Sequence, residues 1–345
     1  MKILEIGSAL HDWGGIERYL VYLCQALDER GHEIVCTVPP GSPLESKIAV
    51  KKVRINVRSQ FQFSRIAAYL RLFREHRFDI VNAHFSPDFI VPAIASKLAR
   101  QPVRILTRHV VLTWSPIKVR RYSRLFTHFI GVSDAVSRKL VESGVSPDRV
   151  QVAKAGCPAL VPTLPFEAIR EQLAISKFAC GFFGRVVDDK GVTTLVEAAQ
   201  SLPPETFHVF GDGPLLAKLK PTTSVRFHGR VEDVANPMSA MDAVAIPSLW
   251  EEAFGFSAVE AMSLGKPIIA TISGGLPELI TQGENGFLIE KRDAKALAEA
   301  VEALRSDPAL GARMGAISRD LHAQEYTVAR FGERMEQAYR NAAGL

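Results

Sequence analysis

Short apolar runs alternate with amphipathic stretches along almost the whole chain, and this alternation restricts the fold more than any other feature. Residues 2–7, 33–38, 53–57, 79–84, 103–109 and 128–132 read as strands, with helical periodicity over 64–76 and 134–143. The pattern resumes at 178–183, 207–211, 242–246 and 268–271, with helical stretches at 192–201, 294–304, 308–322 and 327–342. A helix between two strands carries the chain back to its starting edge, so the strands run parallel and helices cover both faces. The fold class is therefore α/β, doubly wound. Ligands of such sheets bind outside the carboxyl ends of the strands, so the loops that follow strands become the candidate sites.

At 345 residues the chain is long for one core, and two domains are expected. A Pro-rich stretch at 157–165 reads as the linker. No run approaches the length of a membrane span, so a cytoplasmic protein is expected. Cys24, Cys36, Cys157 and Cys180 lack zinc or redox spacing and read as buried thiols. Charge is uneven. Residues 1–150 hold 23 Lys and Arg against 13 Asp and Glu, and the remainder holds 19 against 24. Within 89–133 stand Lys97, Arg100, Arg104, Arg108, Lys118, Arg120, Arg121 and Arg124, with no acidic residue among them. An anionic partner for the first domain alone follows from this asymmetry.

The richest stretch is 247–267, PSLWEEAFGFSAVEAMSLGKP, which joins two apolar strands through a loop and a helix. Ser257 suits the N-cap of that helix. A strand, a Gly-containing loop and a helix N-terminus together make an anion site. Glu252 and Glu260 on either side of it would repel phosphate but would accept hydroxyl hydrogens, which fits a polyol carrying a phosphate: a nucleotide sugar. The spacing alone leaves both as ordinary surface charges at a helix end. In the earlier loop at 184–191, Arg185 and Lys190 suit a diphosphate, the guanidinium as a fork and the ammonium as a point charge, although solvated surface charge explains them equally.

These segments resemble the signature of the group 1, or family 4, retaining glycosyltransferases. The matching residues are Gly184-Arg185 followed by Lys190-Gly191, Glu252 with Phe254-Gly255, and Glu260 with Ala261-Met262. The resemblance continues through Gly265-Lys266-Pro267, Gly274-Gly275-Leu276-Pro277-Glu278 and Gly286-Phe287-Leu288. It implies the GT-B fold: two facing Rossmann-like doubly wound parallel-sheet domains with the active site in the cleft between them. The expected division is 1–160 for the acceptor side, 161–322 for the nucleotide-sugar side, and 323–345 for a helix crossing back to the first domain. The implied reaction transfers a glycosyl unit from a nucleoside diphosphate sugar to an acceptor hydroxyl, with retention and without metal or other cofactor.

By the same resemblance, Arg185 and Lys190 bind the leaving diphosphate, assisted by the backbone near Phe254, Gly255, Phe256 and Ser257. Glu252 holds the sugar, Glu260 the ribose, and the backbone near Val231 meets the base. Gly14 and Gly15 lie in a loop that approaches the donor phosphate and the acceptor; read from the residues alone, they make a tight strand-to-helix turn. The loop has neither dinucleotide-fingerprint nor P-loop spacing. His109, in TRHV, matches a donor-site histidine, against the plainer reading of a hydrogen-bonded strand-end residue. His84 is a weaker candidate, because Asn82 stands where relatives often carry a second histidine. No spacing supports a metal site at these histidines.

Residues 115–126, SPIKVRRYSRLF, form a basic amphipathic segment that suits an anionic inner-membrane surface, or a solvated helix packed by its apolar side. Nucleic acid is disfavoured, since no binding motif accompanies the charge. The expected partners are a nucleotide-sugar donor and a carbohydrate or lipid-linked acceptor, as in cell-surface polysaccharide, lipopolysaccharide or glycolipid synthesis. Two rival readings are a nucleotide-sugar 2-epimerase of the same fold and a non-catalytic binding subunit.

Overall fold

The computed structural model describes residues 1–8, 14–56, 61–220 and 224–345. The chain divides into two compact units, Met1–Gly156 with Val328–Leu345, and Cys157–Thr327.

The first unit holds β1 (Lys2–Ile6), β2 (Glu33–Val38), β3 (Lys51–Arg54), β4 (Ile80–Ala83), β5 (Val103–Arg108), β6 (His128–Gly131) and β7 (Val150–Val152). They form one sheet in the order β3-β2-β1-β4-β5-β6-β7. Every pairing is parallel. The expected strand at 53–57 begins earlier, and its Val57 lies outside the described residues. The reason is that β3 is an edge strand carrying Lys51, Lys52 and Arg54, charges that protect an open edge and break the apolar signal. Strand β7 has three residues, too few to show a periodicity.

The second unit holds β8 (Cys180–Phe183), β9 (Phe207–Phe210), β10 (Arg226–Gly229), β11 (Ala243–Ile246), β12 (Ile268–Thr271) and β13 (Gly286–Ile289), in the order β10-β9-β8-β11-β12-β13. All pairings are again parallel. Strands buried on both faces need continuous apolar runs, which is how IIAT at β12 and AVAI at β11 read.

Each sheet reverses its winding once. The chain steps from β1 outward through β2 and β3, then β4 returns to the other side of β1; β8 and β11 repeat this. Adjacent crossovers leave such a pair on opposite faces, which opens a crevice at its carboxyl ends.

The unit boundary falls at Gly156/Cys157 rather than at 160. The segment expected to be a linker is tied to the second unit: the Cys157 N–H donates to the Tyr326 carbonyl at 2.9 Å and the Leu160 N–H to Ser263 Oγ at 3.1 Å. The return to the first unit starts at Val328 rather than at 323, because helix Pro308–Glu325 stays with the second unit, where Ser318 Oγ donates to the Asn285 carbonyl at 3.2 Å. Helix Val328–Ala343 then packs on helix Gly15–Glu29, with Phe331 edge-on to Tyr19 at 4.8 Å and the Tyr19 hydroxyl 3.3 Å from Met335 Sδ. All four cysteines are free and buried. Among the described residues no helix is long and apolar enough to cross a membrane.

Gly191 sets how closely the loop after β8 can approach the loop after β11. Its φ is +71°, and a Cβ there would stand 1.7 Å from the Pro247 carbonyl oxygen. Gly191→Ala should therefore destabilise the protein by at least about 2 kcal/mol, combining left-handed strain with a backbone clash. Denaturant unfolding of the intact chain measures this, and an unchanged midpoint would show that the two loops can separate freely.

Candidate active site

The loops after β8 and β11 are knitted together over the winding reversal of the second sheet. The Asp189 carbonyl accepts from the Leu249 and Trp250 N–H groups, both at 2.9 Å. Ser257 Oγ donates to the Phe183 carbonyl at 3.3 Å, holding the start of helix Phe256–Ser263 against the end of β8. This seam brings together residues 62 positions apart: Lys190 Nζ is ion-paired with Glu252 Oε1, which also accepts from Ser248 Oγ at 2.7 Å. Arg185, on the same loop as Lys190, is exposed and has no ion-pair partner among the described residues. The arrangement thus offers an uncommitted guanidinium, an ammonium shared with one carboxylate, and a helix N-terminus.

Glu251 and Glu252 are adjacent in sequence but point to different tasks. Glu251 pairs with Lys291 and accepts from the Gly274 N–H at 2.7 Å, which fixes the loop to the turn after β12. Glu260 is buried on its helix at 4% exposure. Ser257 is not the N-cap. Gly255 takes that place with φ +104°, where a Cβ would lie 2.8 Å from Leu276 Cδ2, so the local preference of serine yields to a packing contact that excludes any side chain. Phe254 and Phe256 meet edge to face at 5.3 Å and are largely buried, so they shape the loop from beneath. Lys266, though part of the sequence signature, serves structure: its Nζ donates to the Ser239 carbonyl at 2.7 Å, and burial pushes its ammonium down to about 8. Val231, after β10, is half-buried and packs against the small apolar cluster that includes Phe210 and Met241.

In the first unit, Gly14 and Gly15 begin helix Gly15–Glu29 after β1, and the Gly14 N–H donates to Glu17 Oε2 at 3.0 Å. The rest of that loop, residues 9–13, lies outside the described residues. His84 and His109 follow β4 and β5, and His84 Nδ1 is 3.3 Å from His109 Nε2. Behind them is a residue that sequence reasoning missed, Glu5 on β1, at 0% exposure. Its carboxylate lies 2.6 Å from His84 Nε2 and accepts from the Tyr339 hydroxyl at 2.6 Å and from Asn82 Nδ2 at 3.2 Å. Asn82, which replaces an expected histidine, is itself anchored by Thr107 Oγ1 at 2.9 Å.

Comparisons with known proteins bear on the family and the fold. The model described as Glycosyltransferase Family 4 matches residues 13–157, and that described as Glycosyl transferases group 1 matches residues 177–307. The chain belongs to the group 1 glycosyltransferases. A lipopolysaccharide core biosynthesis glycosyltransferase of Rhizobium meliloti, LpsE, is 26% identical over 329 residues, 87% of this chain and 88% of that protein. The capsular polysaccharide biosynthesis glycosyltransferase CapM of Staphylococcus aureus is 24% identical over 298 residues, 78% of each. Among solved structures, Anabaena HepE in complex with UDP superposes with a TM-score of 0.86 at 24% identity, covering 98% of this chain and 99% of that one. That likeness assigns the GT-B fold. No epimerase stands among these relatives, and that rival reading has no support.

The buried network limits where protons can sit in the glycosyltransferase. A carboxylate only accepts, so with Glu5 ionised the proton between the two groups sits on His84 Nε2, and the Asn82 amide, 3.1 Å from that nitrogen, gives its hydrogens to Glu5 and the Tyr339 hydroxyl instead. With both rings neutral, His84 Nδ1 then accepts from His109 Nε2–H, and His109 keeps its Nδ1 lone pair as its remaining hydrogen-bonding site. Burial, then His84 and Arg108, hold the His109 imidazole well below its ordinary value of 6.5. The folded ring binds its proton less tightly than the unfolded chain does. Its contribution to stability is therefore full above pH 6.5 and lost as pH falls toward the folded value. In Glu5→Gln the new amide can donate to His84 Nε2, which should reverse both tautomers, and nitrogen-15 NMR of the two imidazoles should show His109 changing from Nε2–H to Nδ1–H. Unchanged shifts would mean that Glu5 does not set the ring orientation.

Proposed function

We propose that the chain transfers a hexosyl unit from a nucleoside diphosphate sugar to an acceptor hydroxyl, with retention and without a metal, in the assembly of a bacterial cell-surface polysaccharide, lipopolysaccharide or glycolipid. The observation that carries this reading is the pairing of Lys190 with Glu252 beside an uncommitted Arg185, where the second sheet reverses its winding. As the glycosidic bond breaks, charge accumulates on the leaving diphosphate. Arg185 as a fork and Lys190 as a point charge are preorganised to meet it. When the diphosphate engages Lys190, Glu252 Oε1 is released from its ion pair to accept a sugar hydroxyl, while Ser248 continues to hold it. The backbone at Phe254 to Ser257 assists at the diphosphate, Glu260 takes the ribose and the backbone near Val231 the base, and the neutral His109 accepts from a further sugar hydroxyl. Gly14 and Gly15 serve the donor phosphate and the acceptor from the first unit.

Printed names of similar proteins support the substrate class. HepE was solved with UDP and with UDP-glucose, and LpsE and CapM are named for lipopolysaccharide core and capsular polysaccharide biosynthesis. The basic first unit favours a phosphate-bearing or lipid-linked acceptor met at the anionic inner face of the membrane, with the protein otherwise cytoplasmic.

Lys190→Ala should lower turnover at least about a hundredfold, the scale of losing one aimed electrostatic donor; full activity in this variant would sink the assignment. Proton NMR of the first-formed product should show the donor's anomeric configuration, at a rate that EDTA does not change. Inversion, or loss of activity in EDTA, would overturn the retaining or the metal-free part respectively. Incubation with donor alone should leave the sugar unepimerised.

A further inference from the structure

We infer that Arg108, at the carboxyl end of β5, is the binding group for an oxyanion carried by the acceptor, a phosphate or a carboxylate. The inference rests on the reading above that the first unit takes the acceptor.

Arg108 is the last residue of β5, so it stands on the edge of the sheet that ligands approach. Successive side chains of a strand face opposite sides of the sheet. Thr107 turns toward Asn82 and the pocket of Glu5, whereas the Arg108 guanidinium lies over the Trp114 ring at 5.2 Å. Trp114 in turn packs on Tyr122 of helix Pro116–Leu125, with ring centres 4.9 Å apart, and on Phe129 of β6 at 6.0 Å. The cation thus rests on aromatic rings, and the residue is only 9% exposed.

Other arginines packed into this unit find acceptors. The half-buried Arg104, earlier on the same strand, donates from Nε to the Leu125 carbonyl at 2.8 Å and from Nη1 to the Gln101 carbonyl at 2.7 Å. Arg65 donates to the Pro87 carbonyl at 2.9 Å and is ion-paired with Asp88. Arg108 is the exception. Its Nε is buried without a hydrogen bond, its side chain has no carboxylate partner among the described residues, and residues 89–133 contain no acid. A cation withdrawn from water without a counterion is costly, and an aromatic face offsets only part of that cost.

The chemistry of the group then selects the ligand. A guanidinium presents paired donors that match two oxygens of a phosphate or carboxylate, and the pairing strengthens where little water competes. The donor's diphosphate is assigned to Arg185 and Lys190 in the second unit, so the oxyanion here belongs to the other substrate.

The first test is titration of the intact, nitrogen-15-labelled chain with inorganic phosphate, and separately with acetate. The Arg108 Nε–H signal, identified by its loss in Arg108→Met, should shift and saturate with at least one of them, and the tighter of the two names the acceptor's anion. It should do so equally when Arg185 and Lys190 are both replaced by Gln. A signal that neither anion moves, or that moves only while Arg185 and Lys190 are present, would overturn the site. With neither anion in the buffer, the unfolding midpoint of Arg108→Met should equal or exceed that of the wild type; a lower midpoint would make the guanidinium a structural group. In a screen of acceptors, Arg108→Met should raise KM for those bearing phosphate or carboxylate at least about tenfold, the scale of losing a hydrogen bond to a charged group, with kcat little changed. Transfer only to neutral acceptors, unaffected by Arg108→Met, would remove the acceptor assignment and leave the transferase reading intact. If no transfer occurs while phosphate still saturates Arg108, the transferase reading fails and the oxyanion site stands without it.

Discussion

Parallel pairing of every strand is the constraint on which the rest depends. A strand that must lie parallel to its predecessor is reached only after the chain has crossed back over a face of the sheet, so every loop leaving a strand's carboxyl end emerges on the same edge. Reversing the winding once per sheet, between β1 and β4 and between β8 and β11, turns that edge into a crevice with loops on both sides. Functional groups remote in sequence become neighbours as a result. Lys190 meets Glu252 across 62 residues and Glu5 meets His84 across 79. The close approach of the two loops in the second unit depends on Gly191, which has no side chain to hold Pro247 away.

What could be read from the sequence follows from the range of each interaction. Buried strands such as β11 and β12 announce themselves because both of their faces are apolar, and Arg185, Lys190, Glu252 and Glu260 stand out because a motif surrounds them. Glu5 gave no such signal. It interrupts an apolar strand, and the groups that justify its burial lie at Asn82, His84 and Tyr339, up to 334 residues away. Ser257 misled for the opposite reason: its local preference for an N-cap is real, but Leu276 packs over position 255 and selects a glycine there. The edge strand β3 was misplaced because protection of an edge and burial of a strand demand opposite residue types.

The two units treat charge differently. In the second, cations at the crevice are few and individually placed, one of them already engaged by a carboxylate whose other contact is a serine. In the first, cations on the outer helix face form a stripe without counterions among the described residues. The former geometry concentrates charge at defined points, whereas the latter spreads it along a surface.

The helix Val328–Ala343 follows the whole of the second unit in sequence yet completes the first. Without it, the pocket around Glu5 would lack the Tyr339 hydroxyl, and Tyr19 its contacts with Phe331 and Met335. An ionisable group sealed in an apolar interior without its full set of donors is costly, so the packing of the first unit around Glu5 depends on a helix that follows the whole second unit in sequence. That helix thus acts as a latch on the first unit.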